Sequence, residues 1–170
     1  MDNTQDTRIG QINVWDDLNI KDELLRGIYA YGFETPSVIQ KQSIHPMIHK
    51  HDIIAHAQSG TGKTGAFTVG PLQQVDTTLD TTQILILAPT HELVNQIAGV
   101  VKSLGNFIDG LRIQTLIGGT SVRQDIELLQ KSPPHIVVGT AGRITDMINR
   151  RYLNISTVDL LVIDEADEML

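Results

Sequence analysis

The sequence predicts an α/β fold in which helices cover both faces of a parallel β-sheet, and two patterns indicate it. Short apolar runs do not alternate with polar residues, as is typical of strands that are buried on both faces. Helical stretches separate these runs, so right-handed crossovers would join the strands. The predicted strands are 53–55, 84–88, 113–117, 136–138 and 160–163, and the helices between them lie near 64–75, 91–104, 121–131 and 142–150.

The composition is that of one globular domain. The chain has 170 residues, 41% hydrophobic and 19% charged, which is enough to bury a core. The absence of cysteine excludes disulfides and thiolate sites. No apolar run approaches the roughly 18 residues of a membrane helix, and the polar N-terminus lacks the plan of a signal peptide. We therefore expect a cytoplasmic monomer without a membrane anchor. Its net charge of −7 argues against coating nucleic acid by bulk electrostatics but leaves local contacts open.

The N-terminal part of the chain is predicted to be helical after a mobile arm, residues 1–13. Residues 21–32 carry apolar side chains at helical spacing and stop at Gly32. A second helix is predicted over 36–49, with Thr35 as its N-cap and Pro36 at its first position.

A glycine-rich stretch, DIIAHAQSGTGKTG at 52–65, predicts a phosphate-binding loop. Gly60 and Gly62 can adopt positive φ and curl the backbone N–H groups around an anion at the start of a helix. Lys63 can reach the β- and γ-phosphates of a nucleotide, and the Thr64 hydroxyl can ligate Mg²⁺.

Two other interpretations of this loop stay open on its residues alone. The same glycines together with Gly65 spell the dinucleotide-binding pattern, which needs an acidic residue about 20 positions on; Asp80 and Glu92 are poorly placed for it. The second interpretation is a flexible glycine turn that binds no nucleotide. It stays open because Ala57 occupies the position of the first glycine in the stricter nucleotide-binding pattern.

A second motif, LLVIDEAD at 160–167, favours the nucleotide interpretation. Carboxyl ends of parallel strands share one edge, so Asp164 and Glu165 would emerge on the same rim as the loop. Asp164 is placed to hold Mg²⁺, and Glu165 could polarise the attacking water, with Lys63 as the third catalytic residue. The plainer alternative is that Glu165 and Asp167 stabilise the start of a helix.

Histidines offer a weaker metal hypothesis. His45 and His49 are spaced i, i+4, and His51 is nearby. Pro46 disturbs the helix between them and no carboxylate or cysteine completes the set, so we expect solvated histidines rather than a zinc site.

The letters DEAD at 164–167 complete a set of motifs that resembles the DEAD-box RNA helicases, and among them the members that act in translation initiation. The resemblance runs from Trp15 to Leu170 and includes, in the family's order, LLRGIYAYGFETPSVIQ, AQSGTGKTG, APTHEL, IGGTSVR, PHIVVGTAGR, MINRRYL and IDEADEML. It implies a RecA-like P-loop NTPase domain over residues 14–170.

The resemblance implies an adenine-recognition segment at 32–40. The Gln40 amide offers one donor and one acceptor, matching adenine N6 and N7, and Trp15 occupies the position of an aromatic residue that stacks on the base. The cofactors would be ATP and Mg²⁺. The predicted nucleotide-binding residues are Trp15, Thr35, Gln40, Ala57, Gln58, Ser59, Gly60, Thr61, Gly62, Lys63 and Thr64, with Thr64 and Asp164 on the metal.

The resemblance also implies contacts to RNA. Turns at strand ends, with helix N-termini and small residues, suit a grip on the sugar-phosphate backbone without base readout. Two positions depart from the family pattern: His91 replaces an arginine, which removes a permanent cation, and Ala141 replaces a proline. The predicted RNA-binding residues are Pro89, Thr90, Gly118, Gly119, Thr140, Gly142 and Arg143.

The end of the chain departs most from the family. The chain stops at Leu170, so the resemblance predicts that a serine-alanine-threonine strand end and a second helicase domain with arginine fingers are missing. The missing strand would lie between the phosphate-loop strand and the 160–163 strand, leaving unpaired edges in an incomplete sheet.

The predicted function is therefore that of the ATP-binding half of an ATP-dependent RNA helicase, an RNA-stimulated ATPase with little activity as an isolated half. Its partners would be RNA and translation-initiation proteins. The alternative is a catalytically silent module that holds ATP or a partner. A small-molecule kinase is disfavoured, because it would need neither Gln40 nor Trp15.

Overall fold

The computed structural model describes residues 12–58 and 60–169, which form two compact units. Unit 1 comprises the described residues up to Gln74 together with Ser103–Ile108, and unit 2 comprises Val75–Lys102 and the described residues from Asp109 onward. Most of the predicted mobile arm, residues 1–11, lies outside the described residues. Within the described ranges, no helix has the length and apolar character needed to cross a membrane.

Unit 1 is built from helices. A short 3₁₀ helix, Trp15–Leu18, precedes α1 (Asp22–Ala30), α2 (Val38–Ile48) and α3 (Lys63–Gln74). As predicted, the first α-helix ends before Gly32, which adopts a φ of 95°. Helices α2 and α3 pack against each other and bring their sequence motifs together. The fully buried apolar side chains of this unit include Trp15, Leu24, Ile28, Ile44 and Leu72.

The start of α2 corrects the predicted cap. The N-cap is Ser37 rather than Thr35, because the Gln40 side chain reaches back and its Oε1 accepts a hydrogen bond from the Ser37 backbone N–H at 2.7 Å. Thr35 is exposed.

The predicted strand at 53–55 does not form. Residues 51–58 have no regular secondary structure, and the Ile54 side chain is fully exposed. A strand exists only when its backbone groups pair with a neighbour, and no strand among the described residues pairs with this segment. The apolar run is present in the sequence, but the prediction that it forms a strand is wrong for this structure.

Unit 2 contains a four-stranded parallel sheet in the order β2-β3-β1-β4. The strands are β1 (Ile84–Leu87), β2 (Ile113–Leu116), β3 (Ile136–Gly139) and β4 (Leu160–Ile163), within one residue of the predicted runs. The helices that follow them are α4 (His91–Leu104), α5 (Val122–Lys131), α6 (Ala141–Asn149) and the four-residue α7 (Ala166–Met169). The last two residues of α4 belong to unit 1.

The central strands confirm the predicted burial, and β4 does not. All four residues of β3 are buried, and its Val137 packs in an apolar cluster with residues of α5 and α6. Strand β4 alternates instead, with Leu161 52% and Ile163 47% exposed. The reason is that successive side chains of a strand point to opposite faces, and the face that carries Leu161 and Ile163 is open to solvent at β4, which pairs only with β1 among the described strands.

Candidate functional site

The glycine-rich loop of unit 1 has the backbone that the sequence predicts. Gly60 and Gly62 adopt φ values of 81° and 94°, the left-handed region in which glycine carries no penalty. The Thr61 hydroxyl donates to the Gln58 carbonyl at 2.7 Å and closes the turn, and Lys63 opens α3. Ser59, which was also predicted to bind nucleotide, lies outside the described residues.

Two side chains at the start of α2 hold this loop. The Ser37 hydroxyl donates to the Thr61 carbonyl at 3.0 Å. The Gln40 Nε2 donates to the Gly62 carbonyl at 3.2 Å, and that carbonyl also accepts the Ala66 backbone N–H at 3.0 Å. Both lone pairs of this carbonyl are thus in use, which fixes the loop against α2 and the first turn of α3.

Gln40 is therefore a structural partner of the loop in this structure. Its side chain is buried, with Oε1 on the Ser37 N–H and Nε2 on the Gly62 carbonyl. An amide has two donor hydrogens and two acceptor lone pairs, so one of each is left for a base edge. Gln40 is only 3% exposed, so the adenine contact stays a prediction that must be made alongside these two bonds.

Gly65 allows α3 to lie this close to α2. A Cβ at Gly65 would lie 2.6 Å from Gln40 Nε2 and 2.9 Å from Phe33 Cε2. Every residue other than glycine is therefore excluded at this position unless the Gln40 amide and the Phe33 ring move. The third glycine of the apparent dinucleotide pattern thus has a packing role at this helix interface.

Trp15 does not fit the predicted stacking on a base. Its side chain is fully buried, and its ring stacks on Phe33 with a centroid separation of 6.0 Å and an interplanar angle of 17°. A ring with no exposed face cannot receive a ligand. Phe33, which sequence reasoning missed, is half-buried between Trp15 and Tyr31 and also abuts Gly65. Its position directly after Gly32 in the GFETPSVIQ segment was the available signal.

The remaining predicted nucleotide residues lie at the loop and at the start of α3. Thr35 and Gln58 are exposed, whereas Ala57, Lys63 and Thr64 are half-buried. The Thr64 carbonyl accepts a hydrogen bond from the Thr68 hydroxyl at 2.6 Å, which braces the first turns of α3.

The carboxyl edge of the sheet gathers the predicted residues of unit 2. The last residues of the four strands are in register across the sheet: Leu116 with Gly139, Gly139 with Leu87, and Leu87 with Ile163. Beyond this row, the Thr140 N–H donates to the Leu116 carbonyl at 3.0 Å, and the Asp164 N–H donates to the Leu87 carbonyl at 2.9 Å. Hydrogen bonds between the strands therefore place the residues that follow each strand in a row along the carboxyl edge of the sheet.

The turns at this edge expose backbone and small side chains. Thr90 caps α4, since the Leu93 N–H donates to its hydroxyl at 3.2 Å. Gly119 has a φ of 77°, and Gly142 is exposed with no atom within 4 Å of a Cβ position. Thr140 is the N-cap of α6 and makes no capping bond with its hydroxyl. Pro89, by contrast, is half-buried, and Gly118 lies beside His91, whose Nε2 is 3.5 Å from a Cβ position on that glycine.

Arg143 does not fit the predicted role of a direct phosphate ligand. Its side chain is buried, and its guanidinium donates to the Thr120 carbonyl at 3.0 Å, to the Thr120 hydroxyl at 3.2 Å and to the Asp125 carboxylate. Sequence reasoning missed Asp125. It lies between Val122 and Leu129 on the apolar side of α5, and an acid at such a position was the available signal.

Asp164 and Glu165 stand at the carboxyl end of β4, as the sequence predicts. The Asp164 Oδ1 accepts the Glu165 backbone N–H at 3.1 Å. Glu165 has a φ of 49°, which is uncommon for a residue with a side chain. Its carbonyl accepts the Glu168 N–H at 2.9 Å as α7 begins.

The histidine pair of α2 forms a contact of its own. The His45 and His49 rings lie 4.4 Å apart, and His49 Nδ1 is 2.8 Å from the His45 carbonyl. In the part of the chain that the structure describes, no group of three or more histidine, aspartate or glutamate side chains is arranged to hold a metal ion.

A family comparison decides what kind of chain carries these motifs. The family model described as DEAD/DEAH box helicase matches residues 37–170, most of the chain. The chain belongs to the DEAD/DEAH box helicases. The likeness in sequence that the motifs indicate is thereby confirmed.

Individual relatives agree with this assignment. The chain is 54% identical over 159 residues to the ATP-dependent RNA helicase eIF4A of Neurospora crassa and equally to that of Pyricularia oryzae, covering 94% of this chain. The chain spans 40% of the length of these relatives.

Solved structures confirm the fold. A DEAD box protein from Methanococcus jannaschii superimposes with a TM-score of 0.86 at 36% identity, over 92% of this chain and 42% of that one. Saccharomyces cerevisiae Dbp5 bound to RNA and ADP BeF3 superimposes with a TM-score of 0.81 at 33% identity, over 92% of this chain and 39% of that one. The chain therefore has the RecA-like architecture of DEAD-box proteins.

Proposed function

We propose that this chain is the ATP-binding part of an ATP-dependent RNA helicase that acts in translation initiation. The observation that carries the proposal is the loop of unit 1, where two glycines of positive φ lead into a helix that begins at Lys63. A glycine turn of this backbone that leads into a helix N-terminus suits a bound phosphate. Family membership and 54% identity to proteins named as eIF4A helicases support the rest.

In this proposal the nucleotide is ATP with Mg²⁺. The loop N–H groups and Lys63 hold the phosphates, and the remaining donor and acceptor of Gln40 select adenine. Phe33 takes over the base contact that was predicted for Trp15, since it is the partly exposed ring beside Gly65. Bound Mg²⁺ would neutralise phosphate charge. The Thr64 hydroxyl of unit 1 and the Asp164 carboxylate of unit 2 are each an oxygen ligand of the kind that this hard cation prefers.

Glu165 is the proposed base for hydrolysis. It would orient and deprotonate the attacking water, and it lies directly after β4 and Asp164 at the carboxyl edge of the sheet. Lys63 stabilises charge on the transferred phosphoryl group.

RNA is the proposed substrate of the sheet edge in unit 2. The turns after β1, β2 and β3 lead into helix N-termini, and those after β2 and β3 add exposed glycine backbone at Gly119 and Gly142. Such groups suit contacts to phosphates and not to bases. The binding is therefore independent of RNA sequence. The bound RNA named for Dbp5 supports this proposal by relation. We further propose a cytoplasmic monomer whose protein partners are other translation-initiation factors.

Calorimetric titration with Mg-ATP and Mg-GTP tests the nucleotide proposal. We expect ATP to bind and GTP to bind at least about tenfold more weakly, because guanine keeps the N7 acceptor but presents the O6 acceptor where adenine presents the N6 donor, so the Gln40 Oε1 would face another acceptor. Lys63→Ala should weaken ATP binding about tenfold or more, whereas the exposed Lys131→Ala, a change of the same chemistry in α5, should leave it unchanged. Equal binding of ATP and GTP would contradict the adenine assignment.

RNA-stimulated phosphate release separates the enzyme from a silent module. ATP binding accompanied by slow hydrolysis that single-stranded RNA accelerates supports the helicase, and robust turnover by this chain alone would contradict the expectation that the isolated half has little activity. ATP binding with no hydrolysis at any RNA concentration favours a module that only holds nucleotide. Two unrelated RNA oligomers should bind with the same affinity.

A further inference from the structure

A buried ion pair joins two of the turns at the sheet edge of unit 2. Arg143 is in the first turn of α6 and Asp125 is in the first turn of α5, and their side chains are 7% and 10% exposed. Burying two charges is costly unless they are paired and fully hydrogen-bonded. The hydrogen bonds of this pair connect the start of α6 with the turn after β2 and the start of α5.

The Arg143 guanidinium has three acceptors on two elements. Besides the Asp125 carboxylate, it binds the carbonyl and the hydroxyl of Thr120, the residue that follows Gly118 and Gly119. The Thr120 hydroxyl in turn donates to the Ile117 carbonyl at 2.9 Å, which closes that turn. One side chain of α6 therefore sets the shape of the turn after β2.

Asp125 binds Arg143 through its carboxylate and β2 through its backbone. Its backbone carbonyl also accepts a hydrogen bond from Gln114 Nε2 of β2 at 3.3 Å. The start of α5 is thus tied to β2, and the carboxylate is held at a fixed distance from Arg143. Because the carboxylate neutralises the guanidinium, the pair offers no net charge to a phosphate.

We propose that Asp125 is a positioning residue for RNA binding. Through Arg143 it fixes the turn Gly118–Thr120 relative to the N-terminus of α6 at Thr140–Gly142, so that the backbone N–H groups of both contact one RNA strand. This inference rests on the proposed RNA-binding function and adds to it a residue that does not itself contact RNA. It also assigns Arg143 to the geometry of the site and not to direct phosphate contact.

The substitution Asp125→Asn tests the proposal by the sign of its effect. It removes a negative charge near the RNA path, so electrostatics alone would strengthen RNA binding. Loss of positioning would weaken it, and we expect the Kd for a fluorescein-labelled single-stranded RNA, measured by anisotropy, to rise about tenfold or more. The affinity for Mg-ATP should not change.

The salt dependence of binding separates positioning from direct contact. If Arg143 contacted a phosphate, Arg143→Gln would reduce the slope of log Kd against log salt concentration by about 0.7. The positioning role predicts a weaker Kd with the slope unchanged. Arg143→Lys should also weaken binding, since one ammonium cannot reproduce the fork that spans Asp125 and Thr120.

Matched controls lie on the same helices. Glu127→Gln removes the same charge from the exposed Arg123–Glu127 pair of α5, and Asp146→Asn does so for the exposed Arg150–Asp146 pair of α6. Neither should weaken RNA binding.

Folding must be checked because removal of one partner leaves a buried charge. Circular dichroism of each variant reports this. Asp125→Asn combined with Arg143→Gln removes both charges while amides remain, and it should fold and still bind RNA weakly. RNA binding by Asp125→Asn, or by the folded double variant, that equals or exceeds that of the unaltered chain overturns the proposal. Failure of the unaltered chain to bind RNA overturns the proposed function itself and this inference with it.

Discussion

Replacement of Gly65 by alanine gives a quantitative test of how the phosphate loop is supported. The new Cβ would lie 2.6 Å from Gln40 Nε2 and 2.9 Å from Phe33 Cε2, closer than such contacts occur. Relieving the clash must move the amide away from the Gly62 carbonyl, which it now reaches at 3.2 Å. The substitution therefore disturbs the contact between α2 and the loop, and it also displaces the Phe33 ring, the proposed base contact.

The magnitude follows from three terms. Loss of the hydrogen bond costs about 0.5–1.5 kcal/mol, and overpacking of a buried site costs about 1–3 kcal/mol. The higher helix propensity of alanine offsets about 1 kcal/mol. We expect a net loss of about 0.5–3.5 kcal/mol in the free energy of unfolding, together with weaker ATP binding.

Gly99→Ala is the matched control. Gly99 is also inside a helix, α4, but it is exposed and no atom lies within 4 Å of its Cβ position. The same change should therefore stabilise the chain by about 0.5–1 kcal/mol through propensity alone. Urea unfolding followed by circular dichroism and by the fluorescence of Trp15 measures both. The reasoning is refuted if Gly65→Ala is as stable as Gly99→Ala.

Two further predictions concern histidines of unit 2. Burial and the positive charge of the nearby Arg112 lower the pKa of His135. The His135 Nδ1 accepts the backbone N–H of Arg112 at 3.1 Å. The unfolded chain then binds a proton more readily than the folded one, so stability should fall as pH drops below about 6.5, by at most about 1.4 kcal/mol per pH unit from this group. Urea midpoints at several pH values, for the unaltered chain and for His135→Gln, measure the difference. An equal pH dependence in both would contradict the assignment. His91→Arg should tighten RNA binding and steepen its salt slope by about 0.7, because a permanent cation would then stand beside Gly118, while the exposed His51→Arg in unit 1 should not. An unchanged salt slope in titrations at several salt concentrations would place His91 outside the RNA path.

The sequence by itself determined the elements and the family. Strands β1 to β4 and helices α3 to α6 lie within two residues of their predicted bounds, because apolar runs, helical spacing and glycine stops are local properties of the chain. Positive φ at Gly60 and Gly62 also followed from residue type, since only glycine adopts that backbone without strain.

Tertiary structure decided which side chains are available for binding. Trp15 and Arg143 have residue types suited to ligands, yet one is covered by the core of unit 1 and the other is paired with Asp125. The same holds for the run at 53–55, which has strand composition and no partner to pair with. Burial, pairing and ladder formation depend on residues that are distant in the chain, and no local pattern contains that information.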